Sequence, residues 1–574
     1  MGVSSAKRLK PAKPAALSKP AARRIDPVTL TVIQAALSAI GEEMFVALRN
    51  TAMSAIIYEV LDMGTGITDP EGELATSGCG IPSFMSVMDK AVRRVIKLKG
   101  AATIHPGDLF ICNDPYYGGV THLNDVALLL PVFVGNRLVA WVGNIAHWPD
   151  VGGAVPGSMG SGSTDIWQEG IRLPAVRLFQ GGKMIEPMLE ILLANTRLPD
   201  TLRGDLWAGI ASVRVGERRI RELVDRYGID AFAEALADHM RQGEEWTRKG
   251  LARLPHGTYE RVEALEGGGT WKVKIEIGAD GFVVDLRDNP DQGASPYNLS
   301  RDGTIIAAQM IFKALTGPDT ALNGGALRLL HVLTRPGSIF EPTAPAPHGL
   351  YFETRVKLHD LLWHCLAEAI PEYLPAGHFA SICSTVLSGI HPDTGRPYTV
   401  VEPQVGGWGA SAEQNGNEAS FSAMHGDTFN CPAEISEARY GVVVQRVGLN
   451  ETPGGEGKRR GGHGIAAEYR IRAPEAFLSI GYGRSLVPPW GLKGGKDGSP
   501  NYVEILRRDG SRERHSVVTH LPVREGEVVR IVTGNGGGYG DPRERPATAI
   551  AADIRDGLLT PGRARDVYGR TGPG

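Results

Sequence analysis

An α+β fold of several units, rich in sheet, is what this sequence predicts, and three observations carry it. Among its 574 residues are 74 glycines, about twice the usual ~7% share and without the every-third-residue period of collagen, so tight turns and close backbone approaches recur. Near the N-terminus, Leu30, Ile33, Leu37, Ile40, Met44 and Leu48 follow one another at helical spacing. Later the pattern switches to strand alternation, as in Trp271-Lys272-Val273-Lys274-Ile275-Glu276-Ile277, and a glycine-rich, strand-rich C-terminal region follows. A chain of this length exceeds one ordinary domain and accommodates about two to four units.

Residues 1–25 carry Lys7, Arg8, Lys10, Lys13, Lys19, Arg23 and Arg24 among Ala and Pro. With no apolar segment, they read as a disordered basic arm and not a secretory leader. A first α/β unit, 26–256, opens with Asp26-Pro27 as N-cap and first-turn proline of an amphipathic helix. Residues 55–67 and 73–77, around Asp69-Pro70-Glu71-Gly72, read as a strand pair, and 84–98 as a second helix. The β-branched and aliphatic runs 126–134 and 138–146 flank Gly135-Asn136, a turn dipeptide that joins hairpin strands. Residues 187–237 are helical in character, with Arg218, Arg219, Arg221 and Glu222 as a solvated face. A mixed α+β unit, 257–397, follows, with alternation over 257–288 and helices over about 304–315 and 361–369. The glycine-rich unit 398–545 includes a strand over 465–471, and 546–574 form a tail.

The formal net charge of −3, from 61 basic and 64 acidic residues, gives no electrostatic case for nucleic acid or an anionic membrane. No uninterrupted apolar run approaches the ~20 residues that span a bilayer. Cys79, Cys112, Cys365, Cys383 and Cys431 are odd in number, scattered and free of C-x-x-C spacing. They read as reduced thiols of a cytoplasmic protein.

The chemistry concentrates at the hairpin. His122 and Asp125, in Gly118-Gly119-Val120-Thr121-His122-Leu123-Asn124-Asp125, are echoed by His147 and Asp150 in His147-Trp148-Pro149-Asp150-Val151-Gly152-Gly153. If the turn centres on Gly135-Asn136, facing positions sum to about 271 by strand geometry. His147 then lies opposite Asn124, beside His122 and Asp125. Two imidazoles and one or two carboxylates converge at the open end of one hairpin. Nitrogen plus carboxylate donors in an incomplete shell suit a divalent transition ion such as Mn, Zn or Fe, with positions left for water and substrate. A lone His-x-x-Asp is more often a hydrogen-bonded surface pair; the repetition at the matched end of a hairpin, flanked by glycines, distinguishes this one.

Other motifs point less far. Asp62-Met63-Gly64-Thr65-Gly66 has the look of the first phosphate loop of sugar-kinase/actin-type ATPases, but a glycine-bearing bend between strands explains it as well. Gly454-Gly455-Glu456-Gly457-Lys458 lacks Walker A spacing, because Thr452 stands where glycine is required; a phosphate contact by Lys458, Arg459 or Arg460 stays open. His425-Gly426-Asp427 and the pair Glu434 and Glu437 are candidates for proton transfer if buried, and ordinary solvated groups otherwise.

Taken in order, several segments together resemble the hydantoinase B/oxoprolinase family. They are Asn113-Asp114-Pro115-Tyr116-Tyr117-Gly118-Gly119-x-x-His122-Leu123-x-Asp125-Val126; Ala146-His147-x-x-Asp150-Val151-Gly152-Gly153 with Pro156-Gly157-Ser158; Gln168-Glu169-Gly170; Gly454-Gly455-x-Gly457-x-x-Arg460-Gly461-Gly462-x-Gly464; and Gly536-Gly537-Gly538-Tyr539-Gly540-Asp541-Pro542. The likeness runs from about Asp26 to Pro542. It implies a hetero-oligomer with a hydantoinase A-type ATPase subunit that phosphorylates a small-molecule substrate, so that ATP and Mg sit on the partner. It also implies a divalent metal here, with the ligands of the related ketone carboxylase subunits falling on His122, Asp125 and His147. In this frame the N-terminal helical and hairpin region is the metal-binding region. Where many members have Ile-Pro-Val-His, this chain has Ile81-Pro82-Ser83-Phe84, and Ile57-Tyr58-Glu59-Val60-Leu61-Asp62 replaces a more basic run.

The resemblance implies the metal-bearing subunit of an ATP-dependent cyclic amide hydrolase that opens a hydantoin, oxoproline or lactam ring. Asp150 is then a fourth ligand or the group that orients a histidine. Asp114 could take the orienting role instead, and Glu169 is a further catalytic candidate. Amides of Gly118-Gly119 or Gly152-Gly153 would receive the phosphate or developing oxyanion. An ATP-dependent ketone carboxylase subunit of the acetone or acetophenone type is the alternative: Phe84 and the 58–62 segment favour it, the shorter chain does not. A non-catalytic scaffold for the ATPase is a third reading.

Overall fold

The computed structural model describes residues 25–116, 121–426 and 428–569. The basic arm as far as residue 24, Gly118-Gly119 and Asp427 therefore lie outside the described residues. Helix α1, Pro27–Thr51, starts as expected: the Asp26 carboxylate accepts the Val28 and Thr29 amides and Pro27 occupies the first turn. By length and composition α1 could cross a membrane, but Leu30, Ile33, Leu37, Ile40, Met44 and Leu48 are buried inside the protein. Its Gly41 lies so close to the next sheet that a Cβ would come 2.6 Å from Gly78 Cα.

The expected strand over 55–67 is split. Residues Ala55–Tyr58 form a short helix, α2, and only Met63–Thr68 is a strand, β1, pairing with β2, Leu74–Gly80. Asp205, far along the chain, accepts the Met53 and Ser54 amides and fixes the entry to α2. The expected helix over 84–98 is likewise two pieces, α3 (Pro82–Met85) and α4 (Met88–Lys99). Strands β3 (Leu109–Cys112), β4 (Asp125–Val134), β5 (Arg137–His147), β6 (Val176–Gln180) and β7 (Lys183–Met184) complete a seven-stranded antiparallel sheet in the order β2-β1-β5-β4-β3-β6-β7. Helices α5 (Glu186–Ala194), α6 (Pro199–Tyr227) and α7 (Ile229–Leu251) follow.

The central hairpin β4–β5 is covered on both faces. A Cβ on Gly143 would meet Met88 Sδ of α4 at 2.4 Å, and one on Gly209 of α6 would meet Leu128 at 2.7 Å. Double coverage is why 126–134 reads as a continuous apolar run and not an alternating one.

A second sheet has the order β11-β10-β9-β8, from β8 (Gly257–Ala264), β9 (Thr270–Gly278), β10 (Gly281–Asp285) and β11 (Leu330–Leu333). Helix α8, Arg301–Thr316, matches expectation, whereas α9 spans Tyr351–Ala367, ten residues earlier than the 361 start read from apolar spacing. All but Lys357 of its residues are buried, so its polar members interrupt the apolar period that would have revealed it.

Two further sheets form the glycine-rich region. One, β13-β12-β16-β19, uses β12 (Ser384–Ile390), β13 (Pro397–Glu402), β16 (Glu475–Gly481) and β19 (Val517–Arg524). The other, β14-β15-β20-β17-β18, uses β14 (Val442–Leu449), β15 (Ile465–Ile471), β17 (Tyr502–Leu506), β18 (Arg512–His515) and β20 (Val528–Val532). Helix α10 covers Ala433–Arg439. In the expected tail, Ala547–Arg555 and Pro561–Tyr568 form α11 and α12. Arg545 and Arg460 both pair with Asp553, and Arg563 pairs with Glu456, tying these helices to the Gly454-Gly455 loop.

Candidate metal centre

Hairpin register builds the site, with one correction to the sequence reading. Near the turn, Val134 faces Arg137 and Phe133 faces Leu138, as a sum of 271 requires; a bulge between Val132 and Phe133 then shifts the rest by one residue. His147 is therefore opposite Asp125 and not Asn124. The shift brings the ligands closer: one donor atom each from His122, Asp125 and His147 lie within 4.8 Å of one another, and all three residues are buried.

Each donor is oriented by its surroundings. His122 Nδ1 lies 3.1 Å from the Gly349 carbonyl oxygen, an acceptor only, so Nδ1 carries a proton. Its Nε2 then stands 3.2 Å from Asp125 Oδ1. Asp125 Oδ2 is held by the Thr121 hydroxyl and by the Tyr351 hydroxyl at 3.1 Å. Burial opposes ionisation of Asp125, yet His122, His147 and Thr121 hold its carboxyl below the usual range. His147 Nδ1 is buried without a partner, and burial followed by the nearby His122 keeps the ring neutral, pushed down to about 3. Two imidazole nitrogens and a carboxylate oxygen within 4.8 Å of one another, one of the nitrogens without a partner, are a donor set that fits a divalent transition ion.

The three residues open on a cavity of about 30 Å³, also lined by Asp62, Phe84, Met159, Tyr351, Phe352, Arg355, Ile382, Ser384, Val401, Pro403 and His425. Space of this size holds one or two waters. Asp62 precedes β1, whose Gly64-Thr65-Gly66 backbone is paired on both sides, with β5 and with β2; those amides cannot cradle a phosphate. The Asp62 side chain instead reaches the cavity, where burial and then Asp125 raise its carboxyl well above the usual value. Phe84 presents a phenyl ring to the cavity.

The other candidates sit differently. Asp150 is spent on its loop: it accepts the Gly152, Gly157 and Arg197 amides and pairs with the Arg197 guanidinium at 2.9 Å. Asp114 accepts the Tyr116 amide and pairs with Arg172 at 2.8 Å. Neither lines the cavity. Glu169 is buried and accepts the His348 amide at 2.8 Å and the Gly349 amide at 2.6 Å, while burial pushes its carboxyl up to about 8. It thus grips the peptide whose carbonyl orients His122. Glu434 is exposed, and Glu437 accepts the Val444 amide at 2.9 Å; both belong to α10. Of that group only His425 reaches the cavity. Tyr351, Phe352 and Arg355 escaped sequence reasoning because the start of α9 was not recognisable.

Two tests follow from these contacts. A Cβ on Gly349 would stand 2.9 Å from Glu169 Oε1, so Gly349→Val is expected to push the loop off Glu169, detach the carbonyl from His122 and weaken metal binding roughly 10–100-fold, as lost outer partners do. Metal titration of the folded variant checks this, and unaltered affinity contradicts it. Acid sensitivity is the second. Burial holds His348, His378 and His425 at about 3, while the unfolded chain takes up protons below about 6.5. Their contribution is complete above about 6.5 and is lost as pH falls toward 3, by roughly 1 kcal/mol per histidine per pH unit. The urea midpoint is expected to drop clearly between pH 7.5 and 5.5; a flat midpoint contradicts neutral burial.

The family model described as hydantoinase B/oxoprolinase matches residues 26–542. An uncharacterised protein of Methanocaldococcus jannaschii is 32% identical over 538 residues, covering 93% of this chain and 94% of its own. The caprolactamase subunit beta of Pseudomonas jessenii is 30% identical, covering 95% and 96%. A crystal structure of the ATP-dependent caprolactamase from that organism superposes with a TM-score of 0.90 at 29% identity over 95% of this chain and 96% of that one. Nucleotide-free acetone carboxylase has the same fold, with a TM-score of 0.86 at 20% identity over 95% and 79%.

Proposed function

The chain belongs to the hydantoinase B/oxoprolinase family, and from that premise we propose that it is the metal-bearing catalytic subunit of an ATP-dependent cyclic amide hydrolase. The observation that carries the reading is the buried His122–Asp125–His147 cluster, whose donor atoms lie within 4.8 Å of one another, with His147 Nδ1 left without a partner. A divalent ion such as Mn, Zn or Fe, when bound there, supplies Lewis acidity and a bound water acidified toward neutral pH. The chain's own groups prepare that site: the Gly349 carbonyl anchors His122 Nδ1, Tyr351 and Thr121 orient Asp125, and Asp150, Asp114 and Glu169 hold the surrounding loops. The partner would be a hydantoinase A-type ATPase subunit carrying ATP and Mg, which converts the unreactive amide oxygen of a small cyclic substrate into a phosphate ester.

Phe84 against the cavity favours a second reading, a ketone carboxylase subunit, since it removes an imidazole from the wall. The test is metal analysis of the purified chain, then turnover with the ATPase partner on lactams and on ketones with bicarbonate. About one metal per chain, with lactam-dependent ring opening, supports the hydrolase; ketone carboxylation supports the second reading. Unmetallated protein that still supports full turnover would leave a scaffold.

A further inference from the structure

Three arginines are almost completely buried: Arg355 at 1%, Arg545 at 2% and Arg484 at 4% exposure. Burying a guanidinium is tolerated when a carboxylate compensates it. Arg545 pairs with Asp553 at 2.6 Å, and Arg484 pairs with Asp360 and with Glu263 at 3.2 Å. Arg355 differs. Among the described residues it has no carboxylate within ion-pair distance, and its Nε is buried with no acceptor. Its protein contacts are the Tyr351 hydroxyl, which accepts from Nη1 at 3.2 Å, and the Tyr351 ring, 5.0 Å from the guanidinium carbon.

Arg355 lines the same cavity as the candidate ligands, and so does His425, whose two ring nitrogens are both buried and unpartnered. The rest of the wall beside them is largely apolar: Phe84, Met159, Phe352, Ile382 and Val401. Asp62 lines the cavity too but stands beyond ion-pair distance of Arg355. A cation with no described carboxylate in ion-pair reach and an imidazole without hydrogen-bond partners thus face one small space.

We propose that Arg355 and His425 form an oxyanion-binding subsite beside the candidate metal ligands, which takes one compact anionic group of the substrate. Resting on the function proposed above, this deepens it: the substrate enters as a compact anion, and the cavity is not a site for a neutral amide alone. The guanidinium offers several N–H donors in a fixed fork that suits a phosphoryl or a carboxylate group. Tyr351 joins the two halves, accepting from Arg355 and donating to Asp125, so the anion subsite and the ligand cluster share one hydrogen-bond chain.

The test is calorimetric binding of inorganic phosphate and of acetate to the full chain at constant ionic strength, with and without added Mn, for the unmodified protein, Arg355→Met, Arg355→Lys and His122→Ala. Binding of at least one anion is expected, weakened roughly tenfold or more by Arg355→Met, as loss of charge-assisted hydrogen bonds predicts, and weakened less by Arg355→Lys. Stronger phosphate than acetate binding assigns the subsite to a phosphoryl group, and the reverse to a carboxylate. Should Arg355→Met fail to fold, Arg355→Lys decides, because it keeps the charge and loses the fork. Equal affinity in Arg355→Lys and the unmodified chain would then overturn the proposal, as would unchanged affinity in a folded Arg355→Met or no binding of either anion. The metal reading fails separately: if no Mn binds but anion binding still depends on Arg355, the subsite stands and the metal does not.

Discussion

Asp125→Asn is expected to strip the site of its metal and to abolish turnover in the reconstituted complex, although the substitution preserves side-chain shape. Asp125 supplies the only negative charge in a cluster whose other members are imidazoles. The Thr121 and Tyr351 hydroxyls donate to its Oδ2, so an Asn carbonyl would be drawn there, turning the amide NH2 toward the position of Oδ1. An uncharged NH2 donor would then stand where the carboxylate oxygen faces His122 Nε2, and the cluster would offer a cation no anionic donor. Loss of affinity should exceed the ~10–100-fold seen when an outer partner is removed. His122→Ala and His147→Ala should lose metal as well. Mass-spectrometric metal content beside far-ultraviolet circular dichroism separates metal loss from unfolding; Asp125→Asn protein that retains one metal per chain would refute the ligand assignment.

The largest effect on stability is expected at Arg484. Its guanidinium is 4% exposed and bridges Asp360 of α9 to Glu263 of β8. Asp360 is wholly buried and also accepts from the Trp490 indole at 3.2 Å, while the His378 ring stands 3.7 Å away. Glu263 also contacts Lys357 at 3.2 Å. Arg484→Leu removes the cation and leaves Asp360 in the interior with no charged partner except an imidazole that burial keeps neutral. Breaking such a pair from one side costs about 3–5 kcal/mol. A lowered denaturant midpoint with an unchanged slope is expected. Replacing both members, as Asp360→Leu with Arg484→Leu, should recover much of the loss, since the uncompensated charge is gone. If the single variant is as stable as the parent, the network contributes nothing.

These two sites differ in how far the sequence revealed them. The hairpin strands, their Gly135-Asn136 turn and the three ligand residues were legible because each depends on local pattern: apolar runs, a turn dipeptide and a spacing repeated at both strand ends. The helix α1, with its Asp26 cap, was legible for the same reason. By contrast, α9 was legible only in its second half. Buried Glu353, Arg355, His359, Asp360 and His364 interrupt the apolar period that marks a helix, and Glu353, His359 and Asp360 find their partners in other parts of the chain.

Sequence by itself determined which family the chain belongs to and singled out His122, Asp125 and His147 as candidates, since residue type and order need no coordinates. Tertiary structure decided how they meet. The bulge at Val132–Phe133 set His147 opposite Asp125, the Gly349 carbonyl anchored a histidine 227 residues away, and Tyr351, Arg355, Asp62 and His425 were folded into one cavity. The physical reason is range. Propensity and periodicity act over a few residues, whereas register shifts, tautomers and the compensation of buried charge are settled by whichever distant groups the packed core places within hydrogen-bonding reach.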